Sequence, residues 1–313
     1  MHLQFKESID AVACKGFEDN SEKIGEGKMR FLGTSAGEGI PNPFCTCKVC
    51  ENARRVKGKE VRLRSSFMLD ETFFIDLGAD YVVQAIMQNI NLDKAEHVLF
   101  THVHFDHINY TIFWERFCKH AGSSRPMNVY LTEEAYEFLN QFLLVSPVTE
   151  GREHYIVPEN VIFVQLDFYK TYTIGNYQVT PLRGSHATAF EKNSANYLIE
   201  RDGFALYYAV DSGYFLQESF QALKGKKLDV FIGECTFPEV DKEVVNKNSG
   251  HMDIKMFLRN LEVLYKNETI TENTEIYMTH ISGSGLTHEE IVKYMQSLDL
   301  PYKIHVAYDG MVI

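Results

Sequence analysis

Thr101-His102-Val103-His104-Phe105-Asp106-His107 reads His-x-His-x-Asp-His and follows directly on the run His97-Val98-Leu99-Phe100. An apolar run that ends in a sudden density of polar, ligand-type residues reads as a buried strand entering a loop. The imidazoles and the carboxylate reach two adjacent metal ions if the turn folds them inward. His102 and His104 lie two apart and can share one ion, while Asp106 and His107 turn towards a second. A lone histidine would suit a solvated loop. This density behind a strand marks a metal site.

Further candidates stand just past strand-like runs. His186 follows Val179-Thr180-Pro181-Leu182, Asp211 closes Ala205-Leu206-Tyr207-Tyr208-Ala209-Val210, and His280 closes Glu275-Ile276-Tyr277-Met278-Thr279. Residues so placed can meet at one edge of a sheet sandwich. With the motif, this pattern resembles the metallo-β-lactamase superfamily. The resemblance implies a first ion on His102, His104 and His186 and a second on Asp106, His107 and His280. Asp211 would bridge them, with a water or hydroxide between. It also implies an α/β fold, a four-layer αββα sandwich, which the order of strand and helix patterns in two successive blocks fits.

Composition sets broad bounds. The chain has 313 residues, 45% hydrophobic and 24% charged, as in ordinary globular proteins. No run approaches the roughly 18 apolar residues of a membrane span, and no signal peptide is evident. Three of the 6 Cys crowd together, which favours metal binding in a reducing compartment over a disulfide framework. The expectation is therefore a cytoplasmic protein. The formal net charge is -12, from 31 Lys+Arg against 43 Asp+Glu. Non-specific nucleic-acid binding rests on many basic contacts to phosphates, so no long nucleic acid is expected as partner. A small phosphate ester remains compatible, because two divalent ions would supply the local positive charge. Whether the chain forms a homodimer is left open.

Residues 1–28 are polar and without clear periodicity, and read as an N-terminal extension. The hydrolase-type domain is placed at 29–313, opening with the strand Met29-Arg30-Phe31-Leu32-Gly33-Thr34. Cys45-Thr46-Cys47-Lys48-Val49-Cys50 then offers three thiolates, where structural zinc wants four tetrahedral ligands. A hairpin pairs Phe67-Met68-Leu69 with Phe73-Phe74-Ile75 and ends at Asp76. Helical patterns are read over 81–89, 111–120 and 133–142, and further strands over 128–131, 160–166 and 171–182. Arg152, His154 and Tyr155 suggest a substrate-side loop. Cys118 and Cys235 read as core residues. Gly250-His251-Met252-Asp253 opens an amphipathic helix, and Thr287 with Glu290 forms a capping box for the last helix.

Within the superfamily, the stretch from Met29 to Ile313 resembles the phosphoribosyl 1,2-cyclic phosphate phosphodiesterases of phosphonate breakdown. The resemblance is carried by Gly33-Thr34, the metal motif, Gly250-His251-Met252, Thr279-His280-Ile281-Ser282 and Ala307-Tyr308-Asp309-Gly310-Met311. It implies a metal-dependent phosphodiesterase with two divalent ions, Zn²⁺ or Mn²⁺, and hydroxide attack that opens a small cyclic diester. In the superfamily the acid at Asp76's position supports the metal loop, and the resemblance to relatives with a His on the loop opening the corresponding helix implies His251 as proton donor, with Asp106 as an assisting acid or base. The Cys triad of the phosphodiesterase group holds a structural zinc with a His three residues after the last active-site ligand. Here that position is Gly283, which leaves His288 as the nearest substitute. Competing expectations are a hydrolase of lactones, thioesters or tRNA 3′ ends, a pyrroloquinoline quinone biosynthesis protein, and an inactive metal-binding scaffold.

Overall fold

Strand text alternates between two kinds of neighbour, and that alternation builds the layers. Successive side chains of a strand point to opposite faces. In β2 (Ser66–Asp70), Phe67 and Leu69 join one core cluster while Met68 joins another. In β10 (Phe204–Ala209), Leu206 and Tyr208 enter the same cluster as Phe67, whereas Ala205, Tyr207 and Ala209 face a third. Both strands are thus buried on both faces, so each sheet needs a cover on each side.

The computed structural model describes residues 29–117, 125–145, 160–240 and 250–313. The extension 1–28, Cys118, and Arg152, His154 and Tyr155 lie outside the described residues. One sheet runs in sequence order through β1 (Arg30–Gly33), β2, β3 (Phe73–Ile75), β4 (His97–Leu99), β5 (Met127–Thr132) and β6 (Val161–Leu166). The other contains β7 (Tyr172–Ile174), β8 (Tyr177–Arg183), β9 (Ala195–Arg201), β10, β11 (Val230–Glu234), β12 (Glu275–Thr279) and β13 (Ile304–Val306), again in sequence order. Phe31, Phe67, Phe73 and Leu99 of the first sheet pack against Tyr177, Tyr197, Tyr208 and Ile232 of the second.

The outer faces are covered by helices. α2 (Tyr81–Met87), α3 (Thr111–Phe117) and α4 (Glu133–Val145) give Tyr81, Ile112, Phe113, Ala135 and Leu139 to the cluster on the first sheet. Those contacts bury large apolar side chains, each worth about 1.5–3 kcal/mol. On the second sheet, α6 (Ile254–Lys266) and α7 (His288–Ser297) contribute Phe257, Leu261, Leu264, Ile291 and Met295, and Leu223 comes from α5 (Gln217–Leu223). The order helix, sheet, sheet, helix is the αββα sandwich that the sequence implied. α1 (Lys48–Val56) lies apart, with Val49 and Ala53 in a small cluster with Ile40. Cys235 is fully buried in the helix-facing core of the second sheet. Among the described residues no helix is long and apolar enough to cross a membrane.

Topology gathers the functional ends. β3 and β4 are parallel, as are β10, β11 and β12. β8 is antiparallel to β9, and β9 to β10, so β8 runs with β10. The C-terminal ends of all these strands therefore lie at the same edge of their sheets. The two edges are tied directly: Ala195 N donates to Thr101 O at 2.7 Å, and Tyr197 Oη donates to Phe100 O at 2.6 Å.

Candidate metal centre

Each sequence-predicted residue of the centre follows one of those strand ends. Asp76 follows β3, His102 to His107 follow β4, His186 follows β8, Asp211 follows β10 and His280 follows β12. Asp76, Asp211 and His280 adopt positive φ angles of 58°, 50° and 54°. Non-glycine residues there carry local backbone strain, which persists only where surrounding contacts impose it. The metal loop is pressed against the turn after Asp76, since a Cβ on Gly78 would lie 1.9 Å from Asp106 O.

The structure brings these side chains into two groups that share one carboxylate. His102, His104, His186 and Asp211 form the first, and Asp106, His107, His280 and Asp211 the second. His104 Nδ1 lies 2.9 Å from His102 Nε2 and 3.1 Å from His186 Nε2. Asp211 Oδ2 stands 3.2 Å from His102 Nε2 and 3.0 Å from His107 Nε2, while its Oδ1 is 3.1 Å from His280 Nε2. Asp106 Oδ2 lies 3.3 Å from His107 Nε2 and 3.8 Å from His280 Nε2.

These donors fit divalent cations. Nε2 of His107 and Nε2 of His280 are buried with no hydrogen-bond partner among the described residues. Buried polar atoms are normally satisfied, so convergent orphans of this kind suit a cation. The opposite ring nitrogens are engaged, which orients each ring. His107 Nδ1 donates to Asp76 Oδ2 at 2.7 Å, His186 Nδ1 to Gly250 O at 3.0 Å, and His280 Nδ1 sits 2.9 Å from Thr236 Oγ1. Outer partners of this type fix the tautomer and raise ligand basicity. Gly250 has to be small here, because a Cβ would lie 2.6 Å from His186 Nδ1.

Charge follows the same division. Burial, reinforced by neighbouring imidazoles, lowers the pKa of His102, His104 and His186, so these rings are neutral donors. Burial also lowers His107, but Asp106, Asp76 and Asp211 outweigh it and raise the value overall. Burial raises Asp106 and Asp211, yet the facing imidazoles outweigh it and hold both carboxylates well below their ordinary range. An ionised Asp106 suits a donor or a base and not a proton-giving acid.

His251 stands at the rim of the centre, with Nδ1 3.3 Å from Asp211 Oδ1 and 3.4 Å from Glu234 Oε2. Burial lowers its pKa, but hydrogen bonds and charge from Asp211 and Glu234 outweigh burial and push it up to about 11. Its setting differs from the sequence expectation in one respect. α6 begins at Ile254, and Asp253 is its N-cap, accepting from Met256 N at 2.8 Å. His251 therefore precedes the helix, whose first turn is capped by the Asp253 carboxylate.

Glu234 is the residue that sequence reasoning missed. Fully buried at the end of β11, it accepts from Ser212 N and Gly213 N at 2.7 and 2.9 Å and from Thr236 Oγ1 at 2.5 Å. It also accepts from Met252 N at 3.2 Å. Its signal was positional, an acid closing the apolar run Val230-Phe231-Ile232-Gly233 as Asp211 closes its own.

The Cys triad is assembled as a separate group, with the Cys45, Cys47 and Cys50 sulfurs within 4.8 Å of one another. His288 does not join it. Its Nδ1 lies 2.7 Å from Arg62 Nη2, and burial together with Arg62 and Lys59 lowers its pKa to about 3. The capping box places His288 as the first residue of α7, where its backbone N–H donates to Glu60 and its ring turns to the buried arginine.

Comparison with known proteins agrees with this fold. In fold, the chain is similar to a diphosphatase from the PhnP family, with a TM-score of 0.66 and 20% identity over 91% of this chain and 96% of that one. The Zn²⁺-bound PqqB from Methylobacterium extorquens gives 0.66 and 16%, covering 91% and 99%. The short form of human tRNase Z gives 0.60 and 16%, covering 91% and 98%. A curated relative, an octanoyltransferase of Porphyromonas gingivalis, is 23% identical over 90% of this chain and 50% of that protein. The chain thus spans about half the length of that relative. Residues 71–281 match the family model of the beta-lactamase superfamily domain, the region that carries every imidazole and carboxylate of the two donor groups, and the chain belongs to the metallo-β-lactamase superfamily.

Proposed function

We propose that this metal-dependent hydrolase is a phosphodiesterase that opens a small cyclic phosphodiester of the phosphoribosyl 1,2-cyclic phosphate type. The observation that carries the reading is Asp211, whose carboxylate is shared by two donor groups and also faces the proton-bearing His251. Two divalent ions, Zn²⁺ or Mn²⁺, would be held by those groups and would supply a water-derived nucleophile at neutral pH and neutralise charge on the phosphoryl oxygens. The chain's own residues do the rest. Asp76, Gly250 and Thr236 orient His107, His186 and His280. Glu234 and Asp211 hold the proton on His251.

Hydrolysis joins a water oxygen to phosphorus and breaks one ester P–O bond. The expelled alkoxide is a poor leaving group and takes its proton from His251, giving a ring-opened monoester. Positioned acids of this kind contribute roughly 10²–10⁴-fold. The similarity in fold to a diphosphatase of the PhnP family supports phosphoryl chemistry. So does a small-molecule scale of substrate, since an acidic chain disfavours long polyanions.

The test uses His251→Ala loaded with its metals and two substrates. A large loss on an alkyl phosphodiester with a small loss on bis(p-nitrophenyl) phosphate supports the acid role, because p-nitrophenolate leaves unaided. Equal losses would make His251 a binding residue. No phosphodiester turnover by the native chain with Mn²⁺ or Zn²⁺ would sink the reading.

A second reading, hydrolysis of an acyl thioester, is favoured by one relative and one surface feature. The curated relative is an octanoyltransferase, a protein named for moving an eight-carbon acyl group. Phe105, within the metal loop, and Phe190, on the loop after His186, are 60% and 59% exposed and suit an apolar substrate tail. Turnover of octanoyl thioesters with phosphodiesters left intact would select this alternative.

A further inference from the structure

The Cys45, Cys47 and Cys50 sulfurs lie apart in character from the imidazole-carboxylate centre, forming an all-sulfur group at the start of α1. Their geometry is already that of a cation site. Cys47 is the N-cap of α1, and its Sγ accepts from Cys50 N at 3.5 Å. Cys45 Sγ accepts from Cys47 N at 3.4 Å. Amide donors at a helix N-terminus favour thiolate over thiol.

Thiolate sites of the structural type close with four donors. Among the described residues no fourth Cys, His, Asp or Glu joins these three. The two nearest candidates stay outside the group, His288 held at a distance and Glu38 beside it. Arg62 sits against His288, and Glu38 Oε1 accepts from Gly283 N at 2.9 Å. Gly283 itself flanks the sulfurs, with its carbonyl oxygen 3.4 Å from Cys47 Sγ. A Cβ built there would stand 3.6 Å from Cys50 Sγ, an ordinary contact, so there is room for a Cβ that the residue does not supply.

We infer that the triad is an open three-thiolate site for a thiophilic cation such as Zn²⁺ or Cd²⁺, whose fourth position beside Gly283 takes a small exchangeable ligand such as water or chloride. A closed structural zinc is thereby replaced by a site at which the ion stays chemically accessible. The inference is independent of the substrate reading, because no residue of the hydrolytic centre takes part.

The experiment loads the full chain with Co²⁺ and follows thiolate-to-metal charge transfer in the near ultraviolet. That absorption reports this site alone, since the other centre has no sulfur ligand. Added imidazole should shift the band of the native chain and saturate. Gly283→His should show a band already at the imidazole-shifted position and unmoved by further imidazole, and it should lose Co²⁺ to a chelator more slowly. Gly283→Ala should respond as the native chain does. A native band that ignores imidazole overturns the inference, and so does the absence of any thiolate band in the Co²⁺-loaded chain. The native-chain titration decides the matter even if the histidine variant does not fold.

Discussion

Glu234 Oε2 lies 3.4 Å from His251 Nδ1, and the same carboxylate accepts the backbone N–H groups of Ser212, Gly213 and Met252. One buried acid thus ties the turn after Asp211 to the turn that carries His251. With Asp211 it outweighs burial and raises the imidazolium pKa. Glu234→Gln keeps the shape and removes the charge, so His251 should lose its proton at lower pH. The basic limb of kcat/KM for an alkyl phosphodiester should move to lower pH, with a loss at alkaline pH approaching the roughly 10²–10⁴-fold of a positioned acid. The p-nitrophenyl ester should show little of this. An unshifted limb in metal-replete enzyme would leave Glu234 purely structural.

Asp76 is a second outer residue with a separable effect. Its carboxylate is fully buried, accepts from Thr101 N and Thr101 Oγ1 at 2.8 and 2.9 Å, and orients His107 at 2.7 Å. Asp76→Ala should weaken metal binding by about 10–100-fold, the usual cost of losing such a partner. Titration of the apoprotein with Mn²⁺ or Zn²⁺ measures it directly. Unchanged affinity would show that the loop holds His107 without help.

The donor groups were legible in sequence because each member ends a strand, and a strand end is a local pattern. His102 to His107, His186, Asp211 and His280 all follow apolar runs whose direction the parallel pairings then fix. Glu234 ends a run just as they do, but its backbone partners lie 18 to 22 residues away and no spacing announces them. β9 was not singled out either. It is buried at Ala195 through Ile199 on both faces, so it lacks alternation, although the Asp202-Gly203 turn after it was a usable hairpin signal. The capping box at Thr287 and Glu290 was readable and is present, since capping is decided within four residues. The place of the His288 ring was not, because Arg62 reaches it across 226 positions of chain.

Removal of the shared carboxylate tests the centre as a whole. Asp211 touches both donor groups, whereas His104 belongs to one. Asp211→Ala and His104→Ala should both fold, as judged by circular dichroism, and both should lose bound metal by elemental analysis. Turnover should fall by at least about 10³-fold, as expected when several kcal/mol of charge stabilisation are withdrawn. Full activity in either variant with no ion beyond one at the Cys triad would exclude metal-dependent hydrolysis here.

Glu191 gives a pH dependence of stability that does not involve the donor side chains. It is buried, accepts from Val103 N at 2.9 Å behind the metal loop, and lies near Thr132 Oγ1 and Thr188 Oγ1 at 3.4 and 3.5 Å. Burial raises its pKa from 4.5 to about 7, more than its hydrogen bonds lower it. The folded state therefore holds a proton that the unfolded chain has already released between these values. Stability rises with pH only where the unfolded state binds more protons, so here it must fall. The loss begins above the unfolded pKa and is complete once pH passes the folded one. Each pKa unit corresponds to about 1.4 kcal/mol, so the full penalty is on the order of 3 kcal/mol. Glu191→Gln can still accept from Val103 N and cannot ionise. Urea denaturation at pH 5 and pH 8 should show the variant gaining on the native protein as pH rises, and parallel curves would mean that Glu191 is ionised throughout.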